Sequence, residues 1–129
     1  MDNNDMIRNR DSIYKNTDNN NELVNLDVTN KHLDVINKHL EKVVNTFKAI
    51  GDETRLKIIT LVMTEPLSVN SISEKIGMSQ SAVSHQLHIL KVNKIVKKER
   101  KGKETYYSLD DSCVKDIIET MYEHTIHHE

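Results

Sequence analysis

Three features of this chain predict a mainly α-helical domain carrying one small β-hairpin. Apolar residues recur at helical spacing through most of residues 33–92. Two short helical segments are joined by the tight turn Gly77-Met78-Ser79, and two strand-like runs, 95–100 and 104–109, flank Lys101-Gly102. Helix, tight turn, helix and hairpin in that order describe a winged helix-turn-helix, in which the second helix of the pair is displayed and the hairpin stands beside it.

The elements follow in chain order. Residues 1–21 are rich in Asn and Asp and have no sustained apolar period, so they are expected to form a disordered or weakly helical extension to a domain spanning 22–129. Leu33, Ile36, Leu40, Val43, Val44 and Phe47 trace a helical stripe, which Gly51 ends and Asp52 replaces with a new N-cap. The second helix runs through Leu56, Ile59 and Val62 to the turn at Pro66. A short helix over 68–76 stops at Gly77, with Ser68 to Ser73 supplying caps and turns. Ser79 then caps a helix that buries Val83, Leu87 and Leu90 and shows Ser81, Ser84, His85 and His88 on its polar side. After the hairpin, Val114, Ile117, Ile118 and Met121 mark a final helix preceded by Asp110, Asp111 and Ser112.

Composition limits the class of protein. The chain has 129 residues, enough for one small domain, and 36% hydrophobic with only 4% aromatic residues allows a core made mainly of Ile, Leu and Val. A dimer interface would help such a core. A single Cys gives no internal disulfide framework, and no signal-peptide core or long apolar run is present, so a soluble protein of a reducing cytoplasm is expected.

Charge is strongly segregated beneath a formal net charge of -2. Between Ser68 and Ser108, Lys75, Lys91, Lys94, Lys97, Lys98, Arg100, Lys101 and Lys103 oppose only Glu74, Glu99 and Glu104. Beyond Leu109, Lys115 alone opposes six carboxylates. The middle of the chain suits a polyanion and its end suits a cation.

A basic hairpin beside a displayed helix is a footprint for double-stranded DNA. The residues expected to make it are Ser79, Gln80, Ser81, Ser84 and His85 on the helix and Arg100, Lys101 and Lys103 at the wing tip. Simpler roles exist for some of these residues. Ser79 also suits a cap, His85 either touches phosphate or supports the turn, and Tyr106 and Tyr107 alternate on a strand as packing residues do.

Asp111, Cys113, His124 and His127 are four metal-ligand side chains on the final helix. Cys113 and His124 lie eleven residues apart, which places them on one helix face to within about 20° but about 16 Å apart along the axis. Ligand atoms must approach an ion to about 2.0–2.3 Å, so one chain cannot close the site. Asp111 and Cys113 of one copy would have to meet His124 and His127 of an antiparallel second copy, giving a dimer with paired sites. The plainer alternative makes the Asp an N-cap and the His pair a complement to the helix macrodipole. His32 and His39, seven apart on the first helix, lack a partner at ligand spacing and are read as solvated or dimer-edge residues.

With these residues in hand, the chain resembles the ArsR/SmtB family of winged-helix, metal-responsive transcriptional repressors. The matching segments are Gly51-Asp52-Glu53-Thr54-Arg55-Leu56, then Ser79-Gln80-Ser81-Ala82-Val83-Ser84-His85-Gln86-Leu87 with Leu90, then Tyr106-Tyr107-Ser108-Leu109. The resemblance runs from about Leu40 to the C-terminus. It implies a homodimer built on the first and last helices, an operator that is an imperfect inverted repeat, and release of DNA when an inducing ion binds.

Family members differ in where the metal sits. The Cys-Val-Cys that some carry before the recognition helix is replaced here by Ser68-Val69-Asn70, and residues 1–21 hold no cysteine. The final-helix site of the family resembles Asp-x-His followed by His-x-x-His or His-x-x-Glu; Asp111, Cys113, His124 and His127 match it with Cys in place of the first His. One carboxylate, one thiolate and two imidazoles suit zinc first, with cadmium favoured by the thiolate and cobalt or nickel also compatible. His128, Glu129 and Glu123 are spare ligands beside the set.

The expected function is a metal-sensing repressor, with a regulator of the same fold lacking metal input, and Cys113 as a redox or incidental thiol, as the alternative. Enzyme classes are disfavoured, because His124-Thr125-Ile126-His127 lacks the His-Glu-x-x-His spacing and no phosphate loop or nucleophile elbow occurs.

Overall fold

The computed structural model describes residues 22–129, with side chains described from Asn30. The extension expected over 1–21 lies outside the described residues. The chain divides into two units, 1–43 and 44–129. In the first, the described residues form the N-terminal part of helix α1 (Glu22–Ile50), which continues into the second.

The second unit holds the remaining elements: α2 (Glu53–Thr64), β1 (Leu67–Ser68), α3 (Val69–Ile76), α4 (Gln80–Val92), β2 (Val96–Lys101), β3 (Glu104–Leu109) and α5 (Ser112–His127). Each helix start is set by a side-chain cap. Asp52 Oδ2 accepts from the Arg55 amide at 3.1 Å, Ser68 Oγ from Ser71 at 3.1 Å and Ser79 Oγ from Ala82 at 3.1 Å. At α5, Asp111 Oδ1 accepts from Cys113 at 2.9 Å and from Val114 at 3.3 Å. These bonds satisfy amide donors that the first turn of a helix leaves without partners.

The sheet has three strands in the order β1-β3-β2, all antiparallel. The hairpin β2-β3 pairs Lys101 with Glu104, leaving Gly102 and Lys103 as a two-residue loop. Gly102 takes φ 66, as the first loop position of a type II′ turn demands. Sequence reading placed the hairpin correctly but missed β1, whose two residues pair Leu67 with Tyr107 and Ser68 with Tyr106. A strand of that length has no period to read, and it exists only because β3 offers it an edge.

One core joins the helices of the second unit to the sheet. Ile58, Ile59, Ile72, Val83, Leu87, Leu90 and Ile95 are fully buried, with Val62, Val96, Ile118 and Val114 around them. Each contributes roughly 1.5–3 kcal/mol of transfer free energy. Tyr107 packs against this core, as its strand position suggested. Among the described residues no helix is long and apolar enough to cross a membrane.

The end of α4 positions the wing. Lys94 donates its amide to Lys91 O at 2.9 Å and Ile95 donates to Leu90 O at 2.9 Å, a Schellman closure that turns the chain from the displayed helix straight into β2. The closure requires the left-handed backbone region, and Lys94 occupies it at φ 58. A side chain there costs free energy that glycine would not incur. We therefore expect Lys94→Gly to stabilise the fold by about 0.5–1 kcal/mol, read as a raised urea midpoint with unchanged m-value.

Candidate functional site

The displayed helix is held from behind. Val83, Leu87 and Leu90 of α4 are fully buried, while Ser81, Ser84, His85 and His88 are exposed on the opposite side. Between these faces, Gln86 accepts a hydrogen bond from Arg55 Nη1 at 3.0 Å. The same guanidinium donates through Nε to Ala49 O at 2.6 Å and through Nη2 to Lys48 O at 3.3 Å, the last carbonyls of α1. Asp52 stands 4.0 Å from Nη1. Charge-assisted bonds of this kind are about twice as strong as neutral ones. One residue thus joins the end of α1, the start of α2 and the back of the displayed helix.

The residues expected to touch DNA fall on α4 with its cap and on the β2-β3 wing. Gln80, Ser81, Ser84 and His85 are exposed along the first two turns of α4. Ser79 is exposed too, but its hydroxyl is engaged as the cap of α4. In the wing, Lys97, Lys98, Arg100, Lys101 and Lys103 are all exposed and Val96 is buried. Arg100 Nε donates to Gly102 O at 3.1 Å, so this arginine also braces the turn. Sequence reading missed Asn70, which accepts from Gln80 Nε2 at 2.9 Å across the helix pair. Contacts between separate helices leave no periodic trace.

The four side chains expected to hold a metal sit at opposite ends of α5. Asp111 is the N-cap and Cys113, half-buried and outside any disulfide, begins the first turn. His124 and His127 are exposed in the last turn. Among the described residues no three His, Cys, Asp or Glu side chains of the single chain converge to hold an ion. Capping engages Asp111 Oδ1, and a carboxylate has a second oxygen with its own lone pairs. The His124 ring stacks at a tilt on that of His128, centroids 4.6 Å apart. On α1, His39 is exposed as expected, whereas His32 is buried and has an interaction partner, as buried polar groups do.

Residues 52–98, from the start of α2 through α4 into the first residues of β2, match the bacterial regulatory protein family arsR. The HTH-type transcriptional regulator NmtR of Mycobacterium tuberculosis is 38% identical over 86 residues, covering 67% of this chain and 72% of that protein. This chain belongs to the ArsR family. The cadmium resistance transcriptional regulatory protein CadC homolog of Staphylococcus aureus is 40% identical over 83 residues, covering 64% of this chain and 69% of that protein. Among solved structures, the homodimeric winged helix-turn-helix DNA-binding domain Mb0332 of Mycobacterium bovis superposes with a TM-score of 0.67 at 26% identity, over 69% of this chain and 82% of that one.

As an ArsR-family member the chain is a DNA-binding transcriptional regulator with a winged helix-turn-helix fold, and not an enzyme. Two outcomes follow from the geometry. Arg55→Ala should lower stability by about 2–3 kcal/mol, since it removes a charged donor's partly buried hydrogen bonds to Ala49 O and Gln86 and an exposed one to Lys48 O; thermal and chemical denaturation measure this. Replacing both Lys101 and Lys103 with Ala should flatten the dependence of log Kd for duplex DNA on log salt by up to about one unit for each phosphate that is no longer neutralised.

Proposed function

We propose that this ArsR-family regulator is a repressor that binds its operator as a metal-free dimer and is released when zinc, or a similar divalent ion, binds at paired sites between subunits. The observation that carries this reading is the division of the ligand set on α5. Asp111 and Cys113 stand at its start and His124 and His127 in its last turn, separated by about 16 Å of helix. A second copy running antiparallel would bring each half to its complement. The donor chemistry fits: a carboxylate oxygen not used in capping, a thiol outside any disulfide, and two exposed imidazoles make a tetrahedral borderline set.

The apolar surface favours the dimer. Phe47, Met121, Tyr122 and Ile126 are 55%, 56%, 43% and 60% exposed in the single chain. Ile50, Leu56, Ile118, Met121 and Tyr122 line an apolar cavity of about 260 Å³ between α2 and α5. Clusters of this kind mark protein contact surfaces.

Each subunit brings one displayed helix and one wing to an operator arranged as an imperfect inverted repeat. In the reading helix, Gln80, Ser81 and Ser84 reach base edges and phosphates, Ser79 and His85 support or touch the backbone, and Arg100, Lys101 and Lys103 meet the neighbouring phosphates. A bound divalent ion would supply a tie between the two terminal helices. Release requires the metal-bound arrangement to have lower affinity for DNA, and such couplings typically amount to ~1–3 kcal/mol, a factor of roughly 5–150.

Mixed dimers test the arrangement. Cys113→Ser and His124→Ala homodimers should each lose tight metal binding. The purified heterodimer of the two should regain one intact site, because both lesions fall in the same site and the other escapes. Titration of the reduced protein with cobalt or cadmium, followed by thiolate charge-transfer absorption, reads this out. A heterodimer that recovers no site would refute the sharing of ligands between subunits, and undiminished binding by both homodimers would remove Cys113 and His124 from the set. Duplex selected from a random pool should still bind both metal-free variants.

A further inference from the structure

We infer that Asn70 sets the base preference of Gln80, making it a reader of adenine over guanine. The inference rests on the reading of Gln80 as a base contact and adds to it a residue outside the reading helix. Gln80 is the first residue of α4, exposed, and its Nε2 donates to Asn70 Oδ1 at 2.9 Å. Asn70 is the second residue of α3, also exposed. The bond therefore joins the two helices at the surface, at the N-terminal end of the reading helix, where base contacts are made in this fold.

A glutamine amide carries two N–H donors and one acceptor oxygen. In the major groove adenine presents a donor, N6–H, and an acceptor, N7, whereas guanine presents two acceptors, O6 and N7. With both N–H groups available, the amide can face either purine. Once one N–H is committed to Asn70, a single donor and the oxygen remain, which satisfies adenine fully. Guanine would leave one acceptor without a donor and bring Oε1 against O6. Fixing the amide before DNA arrives also removes side-chain freedom that binding would otherwise have to freeze.

The experiment is in vitro selection from a random-sequence duplex pool with the full chain, comparing wild type, Asn70→Ala, Asn70→Asp and Gln80→Ala, followed by affinity measurements on the selected duplex and its adenine-to-guanine variants. Gln80→Ala should lose preference at one base pair in each half-site. At that pair Asn70→Ala should reduce discrimination of adenine over guanine by about tenfold, within the range expected of a bidentate contact. Asn70→Asp keeps an acceptor for Gln80 and should preserve the preference while weakening binding to all sequences, through the added negative charge beside phosphate. Unaltered discrimination in Asn70→Ala, with the Gln80→Ala effect present, would overturn the role of Asn70 and leave Gln80 a base reader. If Gln80→Ala selects the same sequences as wild type, the base-contact reading falls and the inference with it.

Discussion

The Arg55 guanidinium is the constraint on which the reading surface depends. Helix α1 must end at the core's edge, and its last carbonyls lack intrahelical partners. Arg55 supplies donors to Lys48 O and Ala49 O and extends a third to Gln86 on α4. Its own backbone amide is bound by Asp52, which caps α2. The segment Gly51-Asp52-Glu53-Thr54-Arg55 therefore does more than turn the chain. It ties three helices into one block, so that the orientation of α4 follows the end of α1.

Given that block, the division of labour on α4 is a matter of helical period. The apolar positions Val83, Leu87 and Leu90 are fully buried, leaving the opposite face to Ser81, Ser84, His85 and His88. The Schellman closure at Lys94 then carries the chain directly into β2. Arg100 braces the wing tip through Gly102 O. In the proposed DNA complex, the displayed helix and the braced cationic hairpin would supply base and phosphate contacts from adjoining elements, and phosphate contacts give register to base contacts.

Helix α5 shows the opposite economy. Val114 and Ile118 anchor its first half in the core, while the last turns project exposed Met121, Tyr122 and Ile126 along with His124 and His127. An exposed apolar surface of this kind suits a protein contact, which is the place the proposed dimer gives it. Asp111 starts the helix through one carboxylate oxygen, and the proposed metal site draws on the other.

The amino-acid order alone determined the local elements, because each is governed by short-range rules. Apolar period marked the helices, Asp52, Ser68 and Ser79 marked their starts, Gly77 and Gly102 marked turns that need positive φ, and the family likeness lay in contiguous segments. The residue types and spacing of Asp111, Cys113, His124 and His127, on which the proposed metal site rests, were legible for the same reason. Tertiary structure decided what joins elements distant in sequence. Strand β1 exists because β3 offers an edge, Arg55 reaches Gln86 thirty-one positions away, and Asn70 meets Gln80 across a helix boundary. It also decided that His32 is buried while His39 is not. Such contacts depend on how the helices pack in three dimensions, and residue spacing along one helix carries no record of that packing.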